Sequence, residues 1–113
     1  MKGSYLGEFE ELVLLTVGIL NSDAYGLSVQ EEIRKQAGRK ATLSAVHAVL
    51  NRLEEKGFLE SEFGSASPER GGKRKRIFKI TNMGKETLQA SRELRDQLWD
   101  QIPRTVWSQQ FSY

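Results

Sequence analysis

The chain reads as a mainly α protein with one small two-stranded β hairpin, a winged helix-turn-helix followed by a C-terminal helix suited to dimerisation. Three observations point there. Residues 42–57, TLSAVHAVLNRLEEKG, place Val46, Val49, Leu50 and Leu53 at i, i+3, i+4 and i+7, one apolar stripe of an amphipathic helix. Two runs of alternating apolar and polar side chains flank the basic cluster Arg70-Gly71-Gly72-Lys73-Arg74-Lys75-Arg76. A final helical pattern over residues 82–102 is longer than a domain of this size can cover.

The 113 residues suffice for a modest core but not for a second one. Residues 1–81 are expected to form the winged helix-turn-helix and 82–113 the dimerisation helix and tail, as one compact unit. With no cysteine, disulfides and thiolate metal sites are excluded. No run approaches 18 apolar residues and no signal peptide is visible, so a cytoplasmic protein without membrane attachment is expected. The net charge of +2 would not announce a nucleic-acid binder, but its distribution does. Lys2 is the only base among residues 1–33, against Glu8, Glu10, Glu11, Asp23, Glu31 and Glu32, whereas residues 70–79 hold six cations and no acid.

Taken in order, residues 6–20 predict the first helix, with Glu8, Glu10 and Glu11 in its first turn, where the backbone dipole favours negative charge. Phe9, Leu12, Val13, Thr16 and Ile19 give one apolar face, and Leu14, Leu15, Val17 and Leu20 fill much of the rest. A helix this apolar is either a central core helix or one that meets a second subunit. Residues 21–23 break the pattern and offer caps for a second helix over 25–36, with Val29, Ile33 and Ala37 as core positions and Gly38 as its stop. Thr42 is the expected N-cap of the third helix and Gly57 its left-handed terminator. Residues 58–63 and 76–81 alternate as the two strands of the wing, packed on the third helix through Phe58, Phe78 and Ile80. Thr81 or Asn82 caps the last helix, which Pro103 stops; residues 104–113 show no clear periodicity.

The chemistry concentrates in the third helix and the wing. Opposite the apolar stripe lie Ser44, His47, Ala48 and Asn51, with Thr42 at the start, a short uncharged face able to approach base edges. Ser44 and His47 suit phosphate or base contacts, Asn51 suits bidentate pairing with adenine, and Arg52 at the flank suits phosphate. A solvated helix face is the plainer reading of these residues alone. The glycines of the wing allow close backbone approach, and Arg70, Lys73, Arg74, Lys75 and Arg76 can displace counterions from DNA; such a cluster is otherwise simply a solvated loop. Catalysis has little to stand on. His47 is the sole histidine, and the pairs Glu31-Glu32 and Glu54-Glu55 diverge on their helices and serve solubility. No metal-ligand spacing and no cofactor signature is present.

The segments LGEFEELVLL, AYGLSVQEEI, LNRLEEKGFLES and PERGGKRKRIFKIT, followed by Gly84, together resemble the PadR family of bacterial transcriptional regulators over residues 6–90. The resemblance implies a winged helix-turn-helix with a helical extension, dimerised through the first and last helices, in the short-tailed subgroup. It also implies a repressor of nearby genes that leaves DNA when a small molecule or other signal arrives. His47 stands where the family commonly has a tyrosine associated with the DNA backbone, so the ring is retained while reach and charge differ.

A dimer would bring together Phe9, Val13, Leu14, Leu94, Leu98, Trp99 and Ile102, which line either the interface or a ligand pocket. Trp99 and Trp107 could enclose a flat apolar or aromatic effector; alternatively Trp99 fills the interface and Trp107 caps the helix end. The expected partners are therefore double-stranded DNA bearing a palindromic operator, a second copy of the chain and such an effector. The rival reading is a winged-helix protein-interaction module that never touches DNA, which the dense cation cluster disfavours.

Overall fold

A computed structural model describes residues 5–66 and 74–108. The element order is α1 (Glu8–Leu20), a 3₁₀ turn (Asn21–Asp23), α2 (Gly26–Ala37), α3 (Leu43–Glu55), β1 (Leu59–Ala66), β2 (Arg74–Ile80), α4 (Asn82–Asp100) and α5 (Arg104–Ser108). The described residues are mainly helical with one antiparallel hairpin.

The stripe of α3 is the centre of the core: Val46, Val49, Leu50 and Leu53 are all buried. Against it pack Val13, Leu14 and Val17 of α1, Val29 and Ile33 of α2, and Phe58, Leu59 and Phe78 of the hairpin. Thr42 is the N-cap as expected, its Oγ1 accepting from the Ala45 N–H at 3.1 Å. Gly57 ends the helix at φ +85°, and Gly38 ends α2 at φ +65°, both in the region that disfavours a side chain.

The structure departs from the sequence expectation at three places. Residues 21–23 do not cap α2; they wind into the 3₁₀ turn, and Ser28 Oγ instead receives the Tyr25 N–H at 2.9 Å. Ala37 is exposed because α2 leaves the core after Ile33. The inward stripe of α1 is Glu10, Val13, Leu14, Thr16 and Val17, which turns Ile19 out to 58% exposure. Val13 and Leu14 are consequently wholly buried within this chain and offer nothing to a partner. Leu15, 48% exposed, and Ile19 are the large apolar residues of this helix that do.

The hairpin pairs Leu59 with Ile80 through Phe63 with Arg76, then shifts register before Ala66 pairs with Arg74, the mark of a bulge. Both strands begin or end two to three residues beyond the alternating runs read from sequence. The Phe78 N–H donates to Ala24 O at 2.8 Å, tying β2 to the entry of α2.

Thr81 caps α4 by accepting from the Gly84 N–H at 3.0 Å, while its own hydroxyl donates to Gly57 O at 2.6 Å. The first half of α4 lies on α1, with Gly84 and Thr87 buried and Leu88 partly so; Leu94, Leu98 and Trp99 are exposed. Beyond Pro103 the chain forms α5, which the sequence did not foretell, and stacks Trp107 on Trp99 with ring centroids 4.6 Å apart. Among the described residues no helix is long and apolar enough to cross a membrane.

Candidate nucleic-acid interface

The amphipathic pattern that buries one side of α3 leaves Ser44, His47, Ala48 and Asn51 exposed on the other. The helix is thus held from behind by the core and presents a surface of small polar groups. His47 is more constrained than its exposure suggests. A Cβ on Gly26 would come within 2.4 Å of its ring, so the imidazole lies directly against the first turn of α2. Gly26 is the concession that lets α2 and α3 cross there, and no periodicity in the sequence distinguishes it.

The described cations of the wing have different situations. Arg74 is exposed, with its guanidinium over the Phe63 ring at 5.4 Å. Lys75 reaches back over the Tyr25 ring, 4.2 Å from its centre, and so borders the α2 entry. Arg76 is engaged by protein: Nε donates to Ser61 Oγ at 2.9 Å, Nη1 to Asn51 Oδ1 at 3.3 Å, and Nη2 to Glu54. Glu54, read from the sequence as a surface carboxylate serving solubility, is in fact the anchor of this group. The expected contacts of Arg70, Gly71, Gly72 and Lys73 lie outside the described residues.

Arg52 is turned toward α1, its Nη1 3.6 Å from Glu10 Oε2, with half of its side chain still exposed. Lys56 approaches the same carboxylate at 2.8 Å, and the Gly7 N–H donates to its other oxygen at 2.8 Å. Burial pushes the Glu10 pKa up, but the Lys56 and Gly7 hydrogen bonds, with the charges of Lys56 and Arg52, outweigh it and hold it below the ordinary carboxylate value. The neighbouring acids are also paired. Glu8 meets Arg39 at 2.6 Å, and Glu11 meets Arg95 at 3.1 Å and Ser91 at 2.7 Å. The three acids of the first turn therefore join α1 to the α2–α3 turn, to α3 and to α4, a role beyond the dipole complement that the sequence suggests.

Two open grooves flank α4. One of about 490 Å³ is lined by Tyr5, Leu6, Thr87, Leu94 and Leu98 among others; the second, about 530 Å³, includes Glu11, Leu15, Leu88 and Arg92. Phe9 is partly buried beneath the Arg39 guanidinium, 4.5 Å from it, and Ile102 is half-buried. No group of three or more potential metal ligands occurs among the described residues.

Solved structures with this fold include a PadR-like transcriptional regulator from Bacillus cereus, with a TM-score of 0.70, 15% identity and coverage of 90% of this chain and 93% of that one. A PadR family regulator from Eggerthella lenta gives 0.67 at 22% identity, covering 90% and 88%. PadR of Bacillus subtilis, solved in complex with operator DNA, gives 0.59 at 19% identity; the match spans 73% of this chain and 46% of that larger one. In sequence the chain is 33% identical over 84 residues to an uncharacterised protein of Lysinibacillus sphaericus, covering 73% of this chain and 72% of the relative. The pattern of a family of transcriptional regulators, not of enzymes, matches residues 14–90, so that the stripe of α3, the hairpin and the docked half of α4 all fall within it. The chain belongs to the transcriptional regulator PadR-like family.

Proposed function

We propose that this regulator is a cytoplasmic homodimer that binds a palindromic operator in double-stranded DNA, represses the adjoining gene and lets go when a small apolar or aromatic molecule or another signal arrives. The observation that carries the reading is the exposed polar face of α3 set beside a basic strand, with the helix buttressed from behind by the core. In this reading α3 enters the major groove, Ser44 and Ala48 permit close approach, and Asn51 meets a base edge. Arg74 and Lys75, with Arg70 and Lys73 from the sequence, neutralise phosphates beside it and carry no base preference. His47, wedged on Gly26, stands at the edge of this surface where a backbone phosphate would pass. The operator complex of the Bacillus subtilis relative supports the mode of binding.

Dimerisation through α4 and the outer face of α1 would cover Leu15, Leu94, Leu98 and Trp99 and set two reading helices against two half-sites. An effector would then enter one of the grooves beside α4. The test is selection from a random duplex pool, followed by titration of the selected site and of random duplex by fluorescence anisotropy. Asn51→Ala should lower affinity for the selected site about tenfold and leave random duplex nearly unchanged. Arg74→Ala should weaken both alike and reduce the slope of log affinity against log salt by about 0.9. A pool that yields no enriched sequence would remove the proposal in favour of a protein-interaction module.

A further inference from the structure

We infer that Arg76 is a positioning residue that decides which base edges Asn51 can read, so that the root of the wing takes part in sequence choice without touching a base. The inference rests on the DNA-binding reading above. Arg76 lies on β2 opposite Phe63, at the foot of the basic cluster, where a cation would ordinarily turn outward to phosphate. Instead each of its three nitrogens donates within the protein, Nε to Ser61, Nη2 to Glu54 and Nη1 to Asn51. Ser61 Oγ in turn donates to Glu54 Oε2 at 2.8 Å, which fixes the carboxylate from its other oxygen. The guanidinium is therefore held by its fork, at two-fifths exposure, rather than by burial.

A guanidinium has donors and no acceptor, so the group that Asn51 offers it, at 3.3 Å, must be the amide oxygen. That settles the orientation of the amide: the oxygen faces the wing and the NH2 faces away. Bidentate pairing with adenine needs oxygen and nitrogen side by side on one base. With the oxygen drawn to Arg76, the reading group is the donor alone. A lone donor is satisfied twice over by guanine N7 and O6, once by thymine O4 or adenine N7, and is opposed by the amino group of cytosine. This replaces the bidentate adenine contact that the sequence alone suggested for Asn51.

The experiment is selection of a random duplex pool by the intact protein, by Asn51→Ala and by Arg76→Met, with base frequencies read at every position. Asn51→Ala locates the position that Asn51 reads, as the one whose preference it relaxes. The parent should favour guanine or thymine over cytosine there by about three- to tenfold, the value of one hydrogen bond. Arg76→Met should keep the remaining positions of the motif and shift this one toward adenine over guanine and thymine, because the amide can now turn and present its oxygen to adenine N6 as well as its nitrogen to N7. Should Arg76→Met melt below the assay temperature, Glu54→Gln, which loosens the fork while leaving Arg76 in place, carries the same expectation in weaker form. An unchanged base preference in both variants overturns the proposal. So does a uniform loss of affinity for all sequences, which would make Arg76 a phosphate ligand. A parent that enriches nothing overturns the DNA-binding reading itself, and that outcome is distinguishable from both.

Discussion

Glu10 is a charged residue on the inward stripe of α1, 7% exposed, and it stays there because Lys56, Arg52 and the Gly7 N–H all face it. Its folded-state pKa lies below the ordinary carboxylate value, so its contribution to stability is present above that value and is lost as pH falls through the folded one. Glu10→Gln should cost about 1.5–3 kcal/mol at neutral pH, the range for hydrogen bonds to a charged group, and should flatten the fall in stability below about pH 4.5. Urea midpoints measured from pH 7 to pH 3 would show it; parallel curves for parent and variant would mean that the cluster is not coupled to folding. The same residue explains where the sequence misled. Apolar periodicity is read by looking for apolar residues, and an acid at the first inward position of α1 shifts the best-fitting stripe round to Phe9, Leu12 and Ile19. Val13 lies on both stripes, and it and Leu14 are wholly buried, so neither reaches a subunit seam. Arg76 misled in the complementary way: charge alone cannot say whether a cation faces solvent or a carboxylate 22 residues away in the chain.

At the scale of elements, α3 was legible to the residue, because cap, stripe and terminating glycine agree with one another. The hairpin and α4 were legible in kind, with ends displaced by the bulge after Phe63 and by the turn at Pro103. How α4 docks was not legible, since the determinant is an absent side chain. A Cβ on Gly84 would come to 2.3 Å from the backbone oxygen of Phe58, an atom that cannot move without shifting β1. Gly84→Ala should therefore lower stability by about 2–3 kcal/mol as α4 is lifted from the hairpin. Gly64→Ala is the control, because a Cβ there meets nothing nearer than 3.7 Å and should change the denaturation midpoint little. Equal midpoints for the two variants would show that α4 can slide without penalty.

The molecule as a whole is elongated, with principal extents of 59 × 34 × 20 Å. Its radius of gyration is 17.3 Å, against about 13 Å for a compact chain of this length. The difference comes from a last helix that outruns the body it is attached to. Leu94, Leu98 and Trp99 are each more than half exposed along it, and the Trp107 ring shields Trp99 only on the face that it stacks upon. If two copies meet there, Leu94→Glu combined with Leu98→Glu should shift sedimentation at micromolar concentration from dimer to monomer, with circular dichroism unchanged. A parent that already sediments as a monomer would remove this surface from consideration.

The uneven support of α4 has a consequence for its backbone. Its first turns rest on α1 and the hairpin, whereas every residue from Arg92 to Asp100 is exposed. A free helix of that length would scarcely form in water, because nucleation is unfavourable and there are too few turns to repay it. Here the anchored turns serve as the nucleus, so the outer turns persist by propagation and fray from the far end. Amide hydrogens along α4 should accordingly exchange with deuterium on a gradient, slowest near Thr87 and faster with each turn toward Asp100. Raising the protein concentration should flatten that gradient from its outer end inward if a second chain covers those turns, and leave it unaltered if none does.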